Sequence, residues 1–366
     1  KKDEEKEKEE RSPSSIVRSA PKPTQGNPPS FGKRSMVALA NTAEILEAAH
    51  ANVRSEIERW KEDPEETKEN SAVDEPSSIL AKERLWLPYR YEKKGAHVRL
   101  FLFHWAGASA SAYSTWESLA SEDVEVCAVQ MPGREDFDIS HIKQDASEAT
   151  MVDLADQFID DVEHLFAGDG MKPVFFAHGT GSWFAFEVAR KLEVKKKEKR
   201  KQLRRPCLHP PAAFFVSCFP APDIPMGERP WPAFNTLKKS EFVREMCQTW
   251  SVPVIALRAP ALDTFYKCLK RDFHVMDQYF VDPNLAAESR FENGETSASR
   301  SSPLLSCPVS LFLALDDPFV GPNKGAPVLM EAWGKFTSAD HMSVDIFHGD
   351  HYYLRDIKMQ DSVGKV

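Results

Sequence analysis

Three short stretches carry residue types that could perform acyl chemistry. "VFFAHGTGSWFAFEVARKL", Val174 to Leu192, reads as a buried strand, a glycine-rich turn and a helix. Such a turn presents a nucleophile on a strained backbone and needs small residues two before and two after it. Ala177 and Gly181 hold those places, but the apex between them is Gly179 where a serine is required. "LFLALDDPFVGP" puts Asp317 just past an apolar run, and "VDIFHGDHYYLRD" puts His351 just past another. An acid followed by a histidine, both at strand ends after the turn, is the order in which a carboxylate orients an imidazole that deprotonates a serine. Alone, Asp before Pro is a common turn starter and a loop histidine is unremarkable. Their order and placement together point to a triad without its hydroxyl.

The neighbouring hydroxyls do not fill the gap. Thr180 follows the apex and should point away from the histidine, while Ser182 lies in the first helical turn, where serine bonds backbone. Cys127 falls inside an apolar run and reads as core.

The elements that must position these residues are legible as six nearly continuous apolar runs: "VRLFLFH", "VEVCAVQ", "PVFFAH", "AFFVSC", "PVSLFLA" and "MSVDIF". Strands buried on both faces have this texture. Helical patterns between several of them predict a mostly parallel sheet with crossover helices, an α/β fold. Between the fourth and fifth runs, Phe219 to Phe291 form a largely helical insert, with amphipathic "LKKSEFVREMCQTW" and "DTFYKCLKRDFHVMDQYF". An insert of that size above the sheet would act as a lid.

The rest of the chain bounds the function. Its 366 residues, 42% hydrophobic and 28% charged, suit one large soluble domain with appendages or two smaller domains. A net charge of -9 argues against nucleic acid, and no apolar run reaches membrane-spanning length. Six scattered cysteines without a CxxC pair read as reduced, so a cytoplasmic compartment is the default expectation. No phosphate-cradling loop and no His/Cys ligand cluster is present, so neither a cofactor nor a metal is expected. Residues 1–33 read as a disordered charged, Pro/Ser-rich tail. Residues 34–61 read as an amphipathic helix, with Met36, Leu39, Ala43, Leu46, Val53, Ile57 and Trp60 on one stripe. That helix could pack on its own domain, self-associate or dock a partner protein. A polar linker, 62–84, precedes the main domain, 85–366. "EVKKKEKRKQLRRP" reads as a solvated basic loop and "ENGETSASRSSP" as a polar connector.

From Leu85 to Leu354 the sequence resembles the type II thioesterases that edit polyketide and nonribosomal peptide synthases. "LFLFHWAGASASAYSTWESLASEDVEVCAVQMPGREDF" carries the resemblance through Tyr113, Trp116, Val129, Gln130, Pro132, Gly133, Arg134 and Glu135, and "KRDFHVMDQY", "DDPFV" and "GDHYYL" extend it. The resemblance implies an α/β-hydrolase fold and hydrolysis of acyl thioesters carried on phosphopantetheine, so the implied partner is an acyl thioester or acyl carrier protein. It makes Asp317 the orienting acid, His351 the base, and the N–H groups of Ala106 and Thr180 the oxyanion hole. Trp105, His178 and Ser182, beside the vacant Gly179 position, would contact substrate. This chain departs from the family at the chemistry: its elbow is Ala177-His178-Gly179-Thr180-Gly181, and Trp105 stands where the family usually has histidine. Three readings follow: a thioesterase-like protein that binds without efficient hydrolysis, an acyl hydrolase using water or another hydroxyl, and an interaction scaffold working through its N-terminal helix.

Overall fold

The computed structural model describes residues 38–39, 76–143, 148–168, 170–202, 208–250, 252, 261–283, 304–337 and 342–354. All six apolar runs are strands: β2 (Val98–Phe103), β3 (Val124–Val129), β4 (Lys172–His178), β5 (Ala213–Ser217), β6 (Val309–Ala314) and β7 (Met342–Phe347). A two-residue strand, β1 (Ala38–Leu39), pairs with β7 at the edge, and the order across the sheet is β1-β7-β6-β5-β4-β2-β3, every pair parallel. Since all strands run the same way, the loops after β2, β4, β6 and β7 leave from one edge of the sheet. Sheets of this kind bind ligands at their carboxyl edge.

Two helices shield the strands that matter most. α2 (Met151–Asp161) opens on a capping box in which Thr150 and Asp153 satisfy each other's backbone N–H. α3 (Gly181–Gln202) starts directly at the turn after β4. The pair is laced by Lys191 to Asp156 at 2.6 Å, Lys195 to Asp160 at 3.1 Å and Lys199 to Glu163. This ladder corrects the expected basic loop: through Gln202 the run is helix, in which a lysine every fourth residue faces an acid of α2 or of the turn just after it. Residues 203–207 lie outside the described residues.

The expected linker is corrected as well, since α1 spans Pro76–Trp86. Its inward stripe is Ile79, Glu83 and Trp86, so the helix offers little apolar periodicity to read. Trp86 is fully buried against Phe137 and Phe158, at 4.8 and 5.2 Å between ring centroids, and its Nε1–H donates to Asp161 at 3.1 Å. Glu83 accepts from Arg90 at 2.6 Å and bonds His164 at 2.7 Å. The Trp86 carbonyl accepts the N–H of Gln130 at 2.7 Å, which ties α1 to the turn after β3. Trp86→Ala should therefore cost about 3–5 kcal/mol in urea unfolding, the range for deleting a large buried side chain. A loss below about 1 kcal/mol would mean that α1 is only loosely attached.

At Ala38–Leu39 the expected N-terminal helix is replaced by strand β1, where the sheet edge offers unpaired backbone groups. The rest of that helix, the charged tail and the polar connector lie outside the described residues. The insert contains α4 (Lys239–Gln248) and α5 (Ala261–Asp277), followed after β6 by the short α6 (Val328–Glu331). The described cysteines are free thiols, and no described helix is long and apolar enough to cross a membrane.

Candidate active site

The turn after β4 keeps the strained geometry of a nucleophile elbow. Gly179 sits at φ +56°, in the left-handed region, and its N–H donates to the Ser217 carbonyl at 3.0 Å. Gly181 is required by close approach: a Cβ there would lie 2.5 Å from the His104 carbonyl oxygen. The N-terminus of α3 is thereby drawn against the end of β2.

Asp317 and His351 meet as expected. One Asp317 carboxylate oxygen accepts the N–H groups of Phe319 and Val320 at 2.8 and 2.9 Å. The other accepts His351 Nδ1–H at 2.6 Å. With Nδ1 committed, Nε2 is the free end of the ring, and it points at Gly179. A Cβ built on Gly179 would lie 3.3 Å from His351 Nε2 and 3.0 Å from Trp105 Cβ. The acid, the base and the nucleophile's place are assembled; the oxygen alone is lacking.

Ser182, Ser217, Cys218 and Cys127 do not take its place. Ser182 is fully buried and donates to the Ala177 carbonyl at 3.2 Å. Ser217 bridges His178 Nδ1 and the Tyr353 hydroxyl, both at 2.8 Å. Cys218, beside Asp317, adopts φ +51°, and burial followed by the Asp317 charge holds its thiol far above the usual range. Burial likewise raises the Cys127 thiol. Neither sulfur is poised to ionise.

Ser182 and His178 are fully buried: the first back-bonds to β4, and the second anchors β5 and the His351 loop through Ser217 and Tyr353, with its ring 5.0 Å from that of His351 and 5.3 Å from that of Trp105. Trp105 and Thr180 do face a cavity of about 30 Å³, together with Phe103, Met151, Phe184 and Val275. Among the described residues, the N–H groups of Ala106 and Thr180 donate to no protein acceptor, which leaves them available to an anion. No cluster of described residues could hold a metal ion.

His351 is only 1% exposed, enclosed by Trp250, Phe319, Tyr352 and His178. Trp250 belongs to the insert and was not among the residues singled out in the sequence. Asp272, in the "KRDF" stretch of α5, was also passed over. Its carboxylate accepts the Gly107 N–H at 2.7 Å and pairs with Arg134 of the "PGRE" turn. Arg134 further donates to the carbonyls of Ala108 at 2.5 Å and Pro132 at 3.1 Å. One buried ion pair thus fastens the insert to the loop bearing Trp105 and Ala106.

His104 sits between them, with Nδ1 2.9 Å from the Trp105 carbonyl. Burial first, and then the Arg134 charge, push its pKa down to about 3. Folded, this imidazole stays neutral where an unfolded one, near 6.5, would already take a proton. The folded state therefore binds fewer protons, and stability is lost as pH falls from about 6.5 toward 3. His104→Gln should flatten that slope relative to wild type in urea unfolding at stepped pH. An unchanged slope would show that His104 does not contribute.

The Thioesterase domain family model matches residues 98–365. The chain is 25% identical over 285 residues to gramicidin S biosynthesis protein GrsT of Aneurinibacillus migulanus, covering 77% of this chain and 93% of that one. The RedJ thioesterase of the prodiginine pathway in Streptomyces coelicolor superposes with a TM-score of 0.53 at 23% identity, over 84% of this chain and 98% of that one. YbtT, a type II thioesterase from the yersiniabactin NRPS/PKS pathway, gives a TM-score of 0.52 at 20% identity, over 76% and 94%. These two likenesses carry the fold, and the family match carries the relationship. With a parallel sheet, a nucleophile elbow and strand-end acid and base in the thioesterase order, the chain belongs to the thioesterase domain family and has the α/β-hydrolase fold.

Proposed function

We propose that this domain recognises acyl thioesters of phosphopantetheine carriers and hydrolyses them poorly or not at all. The observation that carries the reading is the site of Gly179: its absent Cβ falls 3.3 Å from His351 Nε2, while the Ser182 and Ser217 hydroxyls are bonded elsewhere and the Cys218 thiol is held far above its usual range. Binding needs less than catalysis does. The Ala106 and Thr180 N–H groups would receive the thioester carbonyl, and the adjoining apolar cavity the acyl chain. The insert, fastened through Asp272, would serve as the lid that excludes water.

A second reading is favoured by the intact Asp317–His351 bond at 2.6 Å, which orients Nε2 to deprotonate a water. Against it stands the enclosure of that ring by four aromatic side chains. Hydrolases stripped of a triad member retain about 10³–10⁴ over water, far below a working triad. The scaffold reading rests on the N-terminal helix, which lies outside the described residues except for Ala38–Leu39.

The test is equilibrium binding of acyl-pantetheine analogues with an amide in place of the thioester. The wild-type chain should bind them, and Ala106→Pro, which removes one N–H, should bind them more weakly. No binding of any analogue would overturn the proposal.

A further inference from the structure

The cavity beside the oxyanion N–H groups has room for little more than one or two water-sized groups at about 30 Å³. A second cavity of about 260 Å³ lies among the start of α2, the middle of α3 and the chain leaving α5, with Thr150, Val152, Arg190, Tyr279, Phe280 and Leu304 in its wall. For scale, an apolar cavity of about 150 Å³ accommodates benzene. Met151, the first residue of α2, is common to the walls of both. Met151 is unbranched and flexible, of the kind that adapts most readily to what lies against it.

Resting on the acyl-thioester reading above, we propose that Met151 is a gate and that the ligand is an uncharged acyl chain of medium length, which threads past it from the small chamber into the large one. The small chamber cannot hold such a chain unaided. The large chamber offers Val152, Phe280, Val281 and Leu304, of which Phe280 is 48% exposed. Its polar wall carries no net charge. Glu187, fully buried, accepts from Arg190 at 2.6 and 2.9 Å and from the Tyr279 hydroxyl at 2.8 Å. A carboxylate at the chain end would lose its hydration there with Arg190 already paired to Glu187, so the chamber suits a methyl-terminated chain. Met151 is a specificity-determining residue in this account and takes no part in chemistry.

The experiment measures binding of amide analogues of acetyl-, butyryl-, octanoyl- and decanoyl-pantetheine to the full wild-type chain. Affinity should rise at least about tenfold from butyryl to octanoyl, since each buried methylene adds to binding. Met151→Trp should abolish that rise, whereas Met151→Leu should keep it. Leu304→Trp, which fills the large chamber from its far wall, should also abolish it, and it stands in if Met151→Trp misfolds by thermal unfolding. An octanoyl analogue ending in a carboxylate should lose the gain. Affinity that is flat or falls beyond butyryl, or a Met151→Trp effect equal at all lengths, would overturn the gate. Failure to bind even the acetyl analogue would instead overturn the acyl-thioester reading itself.

Discussion

Gly179→Ser should raise acyl-pantetheine hydrolysis over wild type by on the order of 10³ or more, since removing a triad serine costs up to about 10⁶. The Asp317–His351 pair is already oriented, and a Cβ at position 179 would fall 3.3 Å from Nε2, so an Oγ would lie within hydrogen-bond reach. Two costs accompany the gain. The new Cβ would stand 3.0 Å from Trp105 Cβ, so the loop after β2 must yield by a few tenths of an ångström. Serine at φ +56° also stores about 1–2 kcal/mol of backbone strain that glycine avoids. The variant should thus be less stable by about that much in urea, while gaining activity that His351→Ala then removes. A variant of normal stability with no gain would mean that the Trp105 loop closes the site to substrate.

Asp272→Ala carries the second large effect. The Asp272 and Arg134 side chains are 10% and 4% exposed, and the same carboxylate holds the Gly107 N–H. Removing one member of a buried pair leaves an uncompensated charge, at about 3–5 kcal/mol. The loss should appear locally: faster hydrogen exchange in α5 and at Gly107, with exchange in β4 and β5 unchanged. In the Gly179→Ser background kcat should fall more than KM rises, because Gly107 neighbours the Ala106 N–H that would meet the developing oxyanion. Asp272→Asn, which keeps an acceptor oxygen, should lie between the two. Equal exchange in α5 for wild type and Asp272→Ala would show that the insert is held by packing alone.

These predictions also show what the sequence made legible. Five of the six strands were readable because strands covered on both faces are written as nearly unbroken apolar runs, β7 being only half-buried, and the acid and base followed because both lie within a few residues of a strand end. α1 was not readable, since one of its inward positions is Glu83, buried through ion pairs rather than by apolarity. The lysines of "EVKKKEKRKQ" looked solvated because Asp160 and Glu163, the partners of Lys195 and Lys199, lie more than thirty residues earlier, at the end of α2 and in the turn after it. His178 and Ser182 were placed beside substrate by adjacency to Gly179, and that adjacency did not show their bonds to Ser217 and to the Ala177 carbonyl. Asp272 escaped notice since Arg134 lies 138 residues away, and nothing local distinguishes a latch from a solvated aspartate. At the elbow itself, all the supporting architecture was legible and the single departure at Gly179 was plain.

The most direct test of the central claim is the turnover of acyl-pantetheine thioesters by the unaltered chain, measured side by side with His351→Ala. The account predicts that the two rates are equally slow, because a base without a nucleophile has nothing to activate. A wild-type rate well above background that His351→Ala abolishes would contradict it, and would establish that the Asp317–His351 pair drives hydrolysis through water.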